Sequence, residues 1–129
     1  MISITLVKQS AYPISAKKVK EAISRVLKDR GIVSDSEVSV ALVGKKKMAE
    51  YVKDYYGDDG YDHPVLSFPQ AETKERFVLP PDGKIHLGEI VISYDECVER
   101  ARRENRIVED VVVEMAEHGT LHLIGVHHD

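Results

Sequence analysis

The sequence predicts an α+β fold in which helices pack on a small mixed β-sheet of about four strands. Short apolar runs with a period of two residues alternate with longer segments whose apolar residues recur at helical spacing. The predicted order is strand, helix, strand, helix, strand, strand, helix, helix. A chain of 129 residues that is 43% hydrophobic can bury one core but hardly two, so residues 1–129 are predicted to form a single domain.

The chain opens with a predicted strand and a predicted helix. Ile2, Ile4 and Leu6 occupy alternate positions, which is the pattern of a strand with one buried face. Ser15 can cap the helix that follows, and Gly31 can end it. The buried stripe of this helix is predicted to contain Val19, Ala22, Ile23, Val26 and Leu27.

The middle of the chain predicts three further strands and one helix. Val38–Leu42 again alternates in the pattern of a strand, and Lys45 to about Tyr55 has helical spacing. The apolar runs Val65–Phe68 and Leu87–Ile92 predict two more strands. The long loop between these runs contains three prolines, and loops of such length are often functional.

Two helices complete the predicted fold. Ser93 and Glu96 have the spacing of a capping box, which would open the first of them. The second is predicted from about Ile107 to Leu123, with His118 and His122 on the flank of its apolar stripe. The centre of that stripe is predicted to contain Val108, Val112, Met115 and Gly119.

The last residues have the form His-x-x-x-His-x-x-Gly-x-x-His and predict a metal site. His118 and His122 are four residues apart, so on a helix their imidazoles lie on one face. Gly125 can adopt the left-handed conformation that ends a helix, which would let the chain return and bring His128 to the same point. Three imidazoles with an open fourth position are typical of a catalytic zinc centre. The alternative is that the two helical histidines are ordinary residues at the edge of a core.

The residue after the first histidine argues against peptide hydrolysis. In the metalloprotease pattern His-Glu-x-x-His, that Glu is the general base. Here the position is Gly119, and the nearby Glu114 and Glu117 would project from the helix in other directions. A metallopeptidase is therefore the less favoured hydrolase.

Composition bounds the compartment and the partners. The single cysteine, Cys97, cannot form an internal disulfide, and the N-terminus has no recognisable leader, so a cytoplasmic protein is expected. No apolar run approaches the roughly 20 residues that span a bilayer. The net charge of −4 is not that of a protein that coats nucleic acid. The basic residues that could contact phosphates cluster at Lys17, Lys18 and Lys20, at Lys45, Lys46 and Lys47, and at Arg100, Arg102, Arg103 and Arg106.

Three blocks of the sequence together resemble the YbeY family of metal-dependent endoribonucleases. They are Val65-Leu66-Ser67-Phe68-Pro69, Leu87-Gly88-Glu89-Ile90-Val91-Ile92 and the terminal histidine motif, in that order. The resemblance implies that His118, His122 and His128 bind one Zn²⁺, and that the ion and its water carry out catalysis. It also implies cleavage of single-stranded RNA in ribosomal RNA maturation and ribosome quality control, with ribosomal RNA and ribosomal proteins as partners.

The chain departs from the family pattern at positions that bear on the predicted site. Family members usually carry an arginine shortly before the Val-Leu-Ser-Phe-Pro block, but this chain has no arginine between Arg30 and Arg76. Lys53 or Arg76 is the predicted replacement for contacting substrate, together with Ser67. An aspartate commonly precedes the third histidine, whereas here that position is His127, which becomes a rival third ligand.

Three functions are therefore compared. A zinc-dependent endoribonuclease is the leading hypothesis, because an ion held by imidazoles supplies a Lewis acid without a carboxylate base. A metallopeptidase shares the ligands but lacks the glutamate. A non-catalytic ribosome-associated factor, in which zinc only fixes the C-terminal segment to the last helix, is favoured by the absent arginine.

Overall fold

The computed structural model describes residues 2–9, 11–32, 35–56, 64–69 and 85–125. Within these ranges the chain forms four strands and four helices in the predicted order. The elements are β1 (Ile2–Val7), α1 (Ala16–Asp29), β2 (Ser36–Val43), α2 (Lys45–Tyr56), β3 (Val65–Pro69), β4 (Ile85–Ser93), α3 (Tyr94–Glu104) and α4 (Val108–Leu123).

The four strands form one mixed sheet in the order β1-β2-β4-β3. Strands β1, β2 and β4 are parallel, so their carboxyl ends at Val7, Val43 and Ser93 lie at the same edge. Strand β3 runs antiparallel to β4, with Val65 opposite Ile92 and Pro69 opposite Gly88. The predicted fold class, an α+β domain with a mixed sheet of about four strands, is confirmed.

The two faces of the sheet are covered by different helices. On one face, Val38, Val40 and Leu42 of β2 and Ile90 and Ile92 of β4 belong to the main core, which includes buried residues of α1 and α4. On the opposite face, a smaller cluster packs α2 on β3 and β4 through Met48, Val52, Leu66 and Val91. The alternation of strand side chains between faces explains the division.

The predicted start and end of α1 are confirmed, and so is the predicted start of α3, although the Ser93 N–H donates to the Pro64 carbonyl rather than to Glu96. The Ser15 hydroxyl accepts a hydrogen bond of 3.2 Å from the backbone N–H of Lys18, and Gly31 follows α1 with φ of 84°. The Ser93 hydroxyl accepts the corresponding bond of 3.2 Å from the N–H of Glu96. None of the described helices is long and apolar enough to span a membrane.

Glu109, in the first turn of α4, connects that helix to the start of α1. Its carboxylate accepts a hydrogen bond of 2.8 Å from the Ser15 backbone N–H and one of 3.0 Å from the Lys18 ammonium. These two donors lower the pKa of the Glu109 carboxyl, the backbone bond more strongly than the lysine. The ionised form of Glu109 therefore stabilises the packing of the two helices.

We predict that Glu109→Gln lowers the melting temperature at neutral pH. Because the folded-state pKa is depressed, the stabilisation exists above the unfolded pKa and is lost as pH falls through the folded value. The difference in melting temperature between wild type and variant should therefore shrink on acidification, as measured by circular dichroism. Glu99→Gln is the control, since the Glu99–Arg102 pair is largely exposed and should contribute little. A difference independent of pH would contradict the prediction.

Candidate metal centre

His118 and His122 lie on successive turns of α4, as predicted. Their ring centroids are 4.9 Å apart and the ring planes are tilted by 46°. Both residues are half-buried, whereas Met115, Gly119 and Leu123 of the same helix are buried against the core. The two imidazoles therefore stand at the flank of the buried stripe, with their backbone held by packing.

Gly119 is in direct contact with the sheet. A Cβ atom at this position would lie 2.8 Å from Ile90 Cγ2, 3.1 Å from Ser67 Oγ and 3.2 Å from Val65 Cγ2. The helix thus approaches β3 and β4 too closely for a side chain. The residue that a metalloprotease uses as its base is absent for a packing reason, because position 119 faces the strands.

Strand β3 forms a wall beside the histidine-bearing turn. The Ser67 hydroxyl donates a hydrogen bond of 3.0 Å to the backbone carbonyl of Gly119, which lies next to His118 in the chain. That bond uses the hydroxyl proton, so toward a substrate Ser67 retains only acceptor capacity. Ser67 is therefore close to the histidines, and its first contribution is to hold α4 against β3.

Two further residues of the site have no assigned role in the sequence prediction. Gly88 has φ of 138°, and a Cβ there would collide with the Phe68 carbonyl oxygen and lie 2.9 Å from Leu123 Cδ2. Thr120 is fully buried, and its hydroxyl donates to the Ala116 carbonyl at 2.7 Å. The sequence does carry a signal for Gly88, because a glycine inside an apolar run often marks a close backbone approach.

The end of α4 has the geometry that the sequence predicts. Gly125 has φ of 86°, and its N–H donates to the His122 carbonyl at 3.1 Å. His127 and His128 lie outside the described residues. Within the described ranges, no cluster of three or more His, Cys, Asp or Glu side chains could hold a metal ion. The described part of the chain thus contains two of the three predicted ligands, and the third stays a prediction.

The predicted substrate contacts are divided among different regions. Lys53 is exposed on α2, which covers the face of the sheet opposite to α4. The structure therefore does not place Lys53 on the same face as the histidine pair, and its role stays a prediction. Arg76 lies outside the described residues.

The fold and site together describe a mixed α+β domain with a histidine pair near the end of its last helix. Residues 5–129 match the family described as endoribonuclease YbeY, and the chain belongs to this family. The predicted family and the predicted enzyme class, an endoribonuclease, are confirmed.

Individual relatives agree with this assignment. The chain is 29% identical over 129 residues to endoribonuclease YbeY of Roseiflexus castenholzii, covering all of this chain and 80% of the relative. It is 32% identical over 111 residues to the Thermus thermophilus protein of that name, covering 86% of this chain and 75% of the relative. The solution structure of TM1509 from Thermotoga maritima is similar over the whole chain and 75% of its own length, with a TM-score of 0.61 at 28% identity.

We predict that Gly119→Ala destabilises the protein by about 1–3 kcal/mol, because overpacking at a helix–sheet contact forces the backbone to move. The displacement should also weaken metal binding, since residues 118 and 122 flank the contact. Ser67→Ala is the companion variant, which removes the bond to Gly119 without overlap and should cost about 0.5–1.5 kcal/mol. Urea unfolding and zinc titration measure both effects. Equal stability of Gly119→Ala and wild type would contradict the close approach.

Proposed function

We propose that the protein is a single-strand-specific, zinc-dependent endoribonuclease that acts in ribosomal RNA maturation and ribosome quality control. Family membership supports RNA cleavage, and the pairing of His118 with His122 supports a metal-assisted route. The histidine pair is the observation that carries the proposal. It combines two imidazoles on one rigid helix with a neighbouring strand, β3, that can border a substrate.

The residues present fit a zinc ion. Imidazole is a common zinc ligand, and ring centroids 4.9 Å apart leave room for one ion bonded to a nitrogen of each ring. His118 and His122 would hold it together with His128, and His127 is the rival for the third position. When bound, such an ion supplies Lewis acidity toward phosphate oxygens and toward water.

The chain's own residues would orient the substrate and limit the chemistry. The Ser67–Gly119 bond fixes the helix turn beside the strand, which keeps the two imidazoles in a constant relation to the wall. A glutamate base at position 119 has no room against Ile90 and Ser67, which disfavours peptide hydrolysis by the metalloprotease route. Ser67, Lys53 and Arg76 remain the proposed substrate contacts, with Ser67 the one adjacent to the histidine pair.

We predict that the purified, untagged protein binds one zinc ion per chain. His118→Ala and His122→Ala should each remove most of this zinc, because two imidazoles bind far more weakly than three. His128→Ala should behave like them and His127→Ala like wild type, as measured by elemental analysis after dialysis. Zinc retained by His128→Ala and lost by His127→Ala would reverse the assignment of the third ligand.

We predict zinc-dependent cleavage of single-stranded RNA. A chelator, His118→Ala or His122→Ala should abolish it, whereas casein should remain intact. Arg25→Gln, an exposed substitution on α1, is the control and should cleave RNA like wild type. A contaminating nuclease would instead cleave equally in every preparation, including those of the histidine variants. Gel analysis of a labelled RNA measures the result.

The outcomes separate the candidate functions. RNA cleavage that requires zinc and the histidines supports the endoribonuclease. Full zinc loading with no cleavage of any RNA would instead support a ribosome-associated factor whose metal only fixes the C-terminal segment. Cleavage of casein would instead support the metallopeptidase hypothesis.

A further inference from the structure

A cavity of about 520 Å³ lies at the edge of the sheet where the parallel strands end. Gln9 follows β1, Gly44 and the three lysines follow β2, and Asp95 follows β4. We call it the switch-point cavity, and it is lined by Gln9, Gly44, Lys45, Lys46, Lys47, Glu50 and Asp95. None of the three lysines belongs to the proposed metal centre.

The topology explains why a cavity forms here. The chain leaves β1 for α1, which packs on the face shared with α4, and leaves the adjacent strand β2 for α2, which packs on the opposite face. Neighbouring parallel strands whose helices depart to opposite faces leave a crevice at their carboxyl ends. In open α/β sheets this crevice is the general position of ligand sites.

The charges around the cavity contradict local helix preferences. Lys45, Lys46 and Lys47 occupy the first turn of α2, and that turn has no acidic residue. Positive side chains at the positive end of the helix dipole are unfavourable. Such a conflict between local preference and fold is expected at functional positions.

Contacts within the protein neutralise only part of the positive charge of Lys45, Lys46 and Lys47. Asp95 accepts a hydrogen bond of 2.6 Å from the backbone N–H of Lys45, so the helix end itself is already occupied by a carboxylate. Lys47 approaches Glu50 at 3.8 Å. Within the described part of the chain, no carboxylate pairs with the ammonium groups of Lys45 and Lys46, and both side chains are exposed. Two cations at the cavity are therefore available to an anion.

We infer that the switch-point cavity binds phosphodiester groups of an RNA strand through Lys45 and Lys46, as a second contact away from the histidine pair. This rests on the proposed function for the identity of the polymer. The site lies on the α2 side at the Ser93 end of β4, whereas α4 lies on the opposite face, where Gly119 meets Ile90 and Leu123 meets Gly88. Along the strand, Ser93 is about 10 Å from Ile90 and about 17 Å from Gly88. Only a substrate several nucleotides long would reach both sites.

The test compares charge-matched variants. Lys45→Gln/Lys46→Gln removes two charges at the cavity, and Arg25→Gln/Lys28→Gln removes two exposed charges elsewhere, on α1. RNA binding is measured by fluorescence anisotropy in the His118→Ala background, where the strand should remain uncut. The cavity variant should bind a long single-stranded RNA at least about fivefold more weakly, with the salt slope reduced by about 1.4, because each single-strand phosphate contact contributes about 0.7. The control should match its parent.

Asp95→Asn should change RNA affinity in the opposite direction. The amide oxygen can still accept the bond from Lys45, while the loss of negative charge should tighten RNA binding. In the zinc-loaded enzyme with native histidines, Lys45→Gln/Lys46→Gln should raise KM for the long RNA and leave kcat/KM for a trinucleotide unchanged. A merely structural role of the lysines would alter both substrates alike and overturn the inference.

The outcomes of these experiments separate an RNA contact at the cavity from a small-anion site and from the proposed catalysis. Equal RNA affinity and equal salt slope in the cavity and control variants overturn the proposal. Inorganic phosphate that saturates the cavity while the lysines have no effect on RNA binding also overturns it, in favour of a small-anion site. Lysine-dependent RNA binding without cleavage by the zinc-loaded enzyme supports the cavity and contradicts the proposed catalysis. RNA cleavage and RNA binding that are both unchanged by the lysine substitutions support the proposed catalysis and contradict the proposed role of the cavity.

Discussion

The close packing of α4 on strands β3 and β4 determines the geometry of the histidine pair. At Gly119 the helix lies so near the sheet that a methyl group would overlap Ile90. At Gly88 the strand likewise has no side chain, which leaves room for Leu123 of the helix. A helix fixed on both sides of His122 cannot rotate about its axis without losing these contacts. The directions of His118 and His122 are therefore consequences of core packing, and only the proposed third ligand belongs to the segment beyond the helix.

The same sheet separates two chemical environments. One face of the sheet carries the histidine pair, with α4 packed on β4 between Gly88 and Ile90, while the opposite face and the Ser93 end border the lysine-lined cavity. The hydrogen bonds that organise them differ accordingly. Ser67 holds the backbone of α4 at the first, and Asp95 holds the start of α2 at the second. The two sites are thus held by separate hydrogen bonds on opposite faces of the sheet.

Sequence reasoning succeeds here where a signal is local and periodic. The i, i+4 histidines, the cap at Ser15 and the left-handed Gly125 follow from helix geometry alone, and each has the predicted conformation or contact. The strand order and the opposite faces of α2 and α4 depend on long-range pairing, which periodicity does not encode. The sequence could therefore place Lys53 on a helix, but it could not show which face of the sheet that helix covers. The collision at Gly119 likewise requires the coordinates of three strand residues.

Net charge is a poor guide to RNA binding for such a molecule. The chain carries −4 overall, but at physiological ionic strength charges interact strongly only within about 8 Å. Acidic residues on α3 and α4 beyond that distance do little to cancel Lys45 and Lys46. What matters is whether nearby carboxylates neutralise the cations. Asp95 and Glu50 do so only in part, since Asp95 accepts a hydrogen bond at the start of α2 and Glu50 faces Lys47. An acidic protein can therefore hold an RNA strand at a few positions while avoiding adhesion to nucleic acid in general.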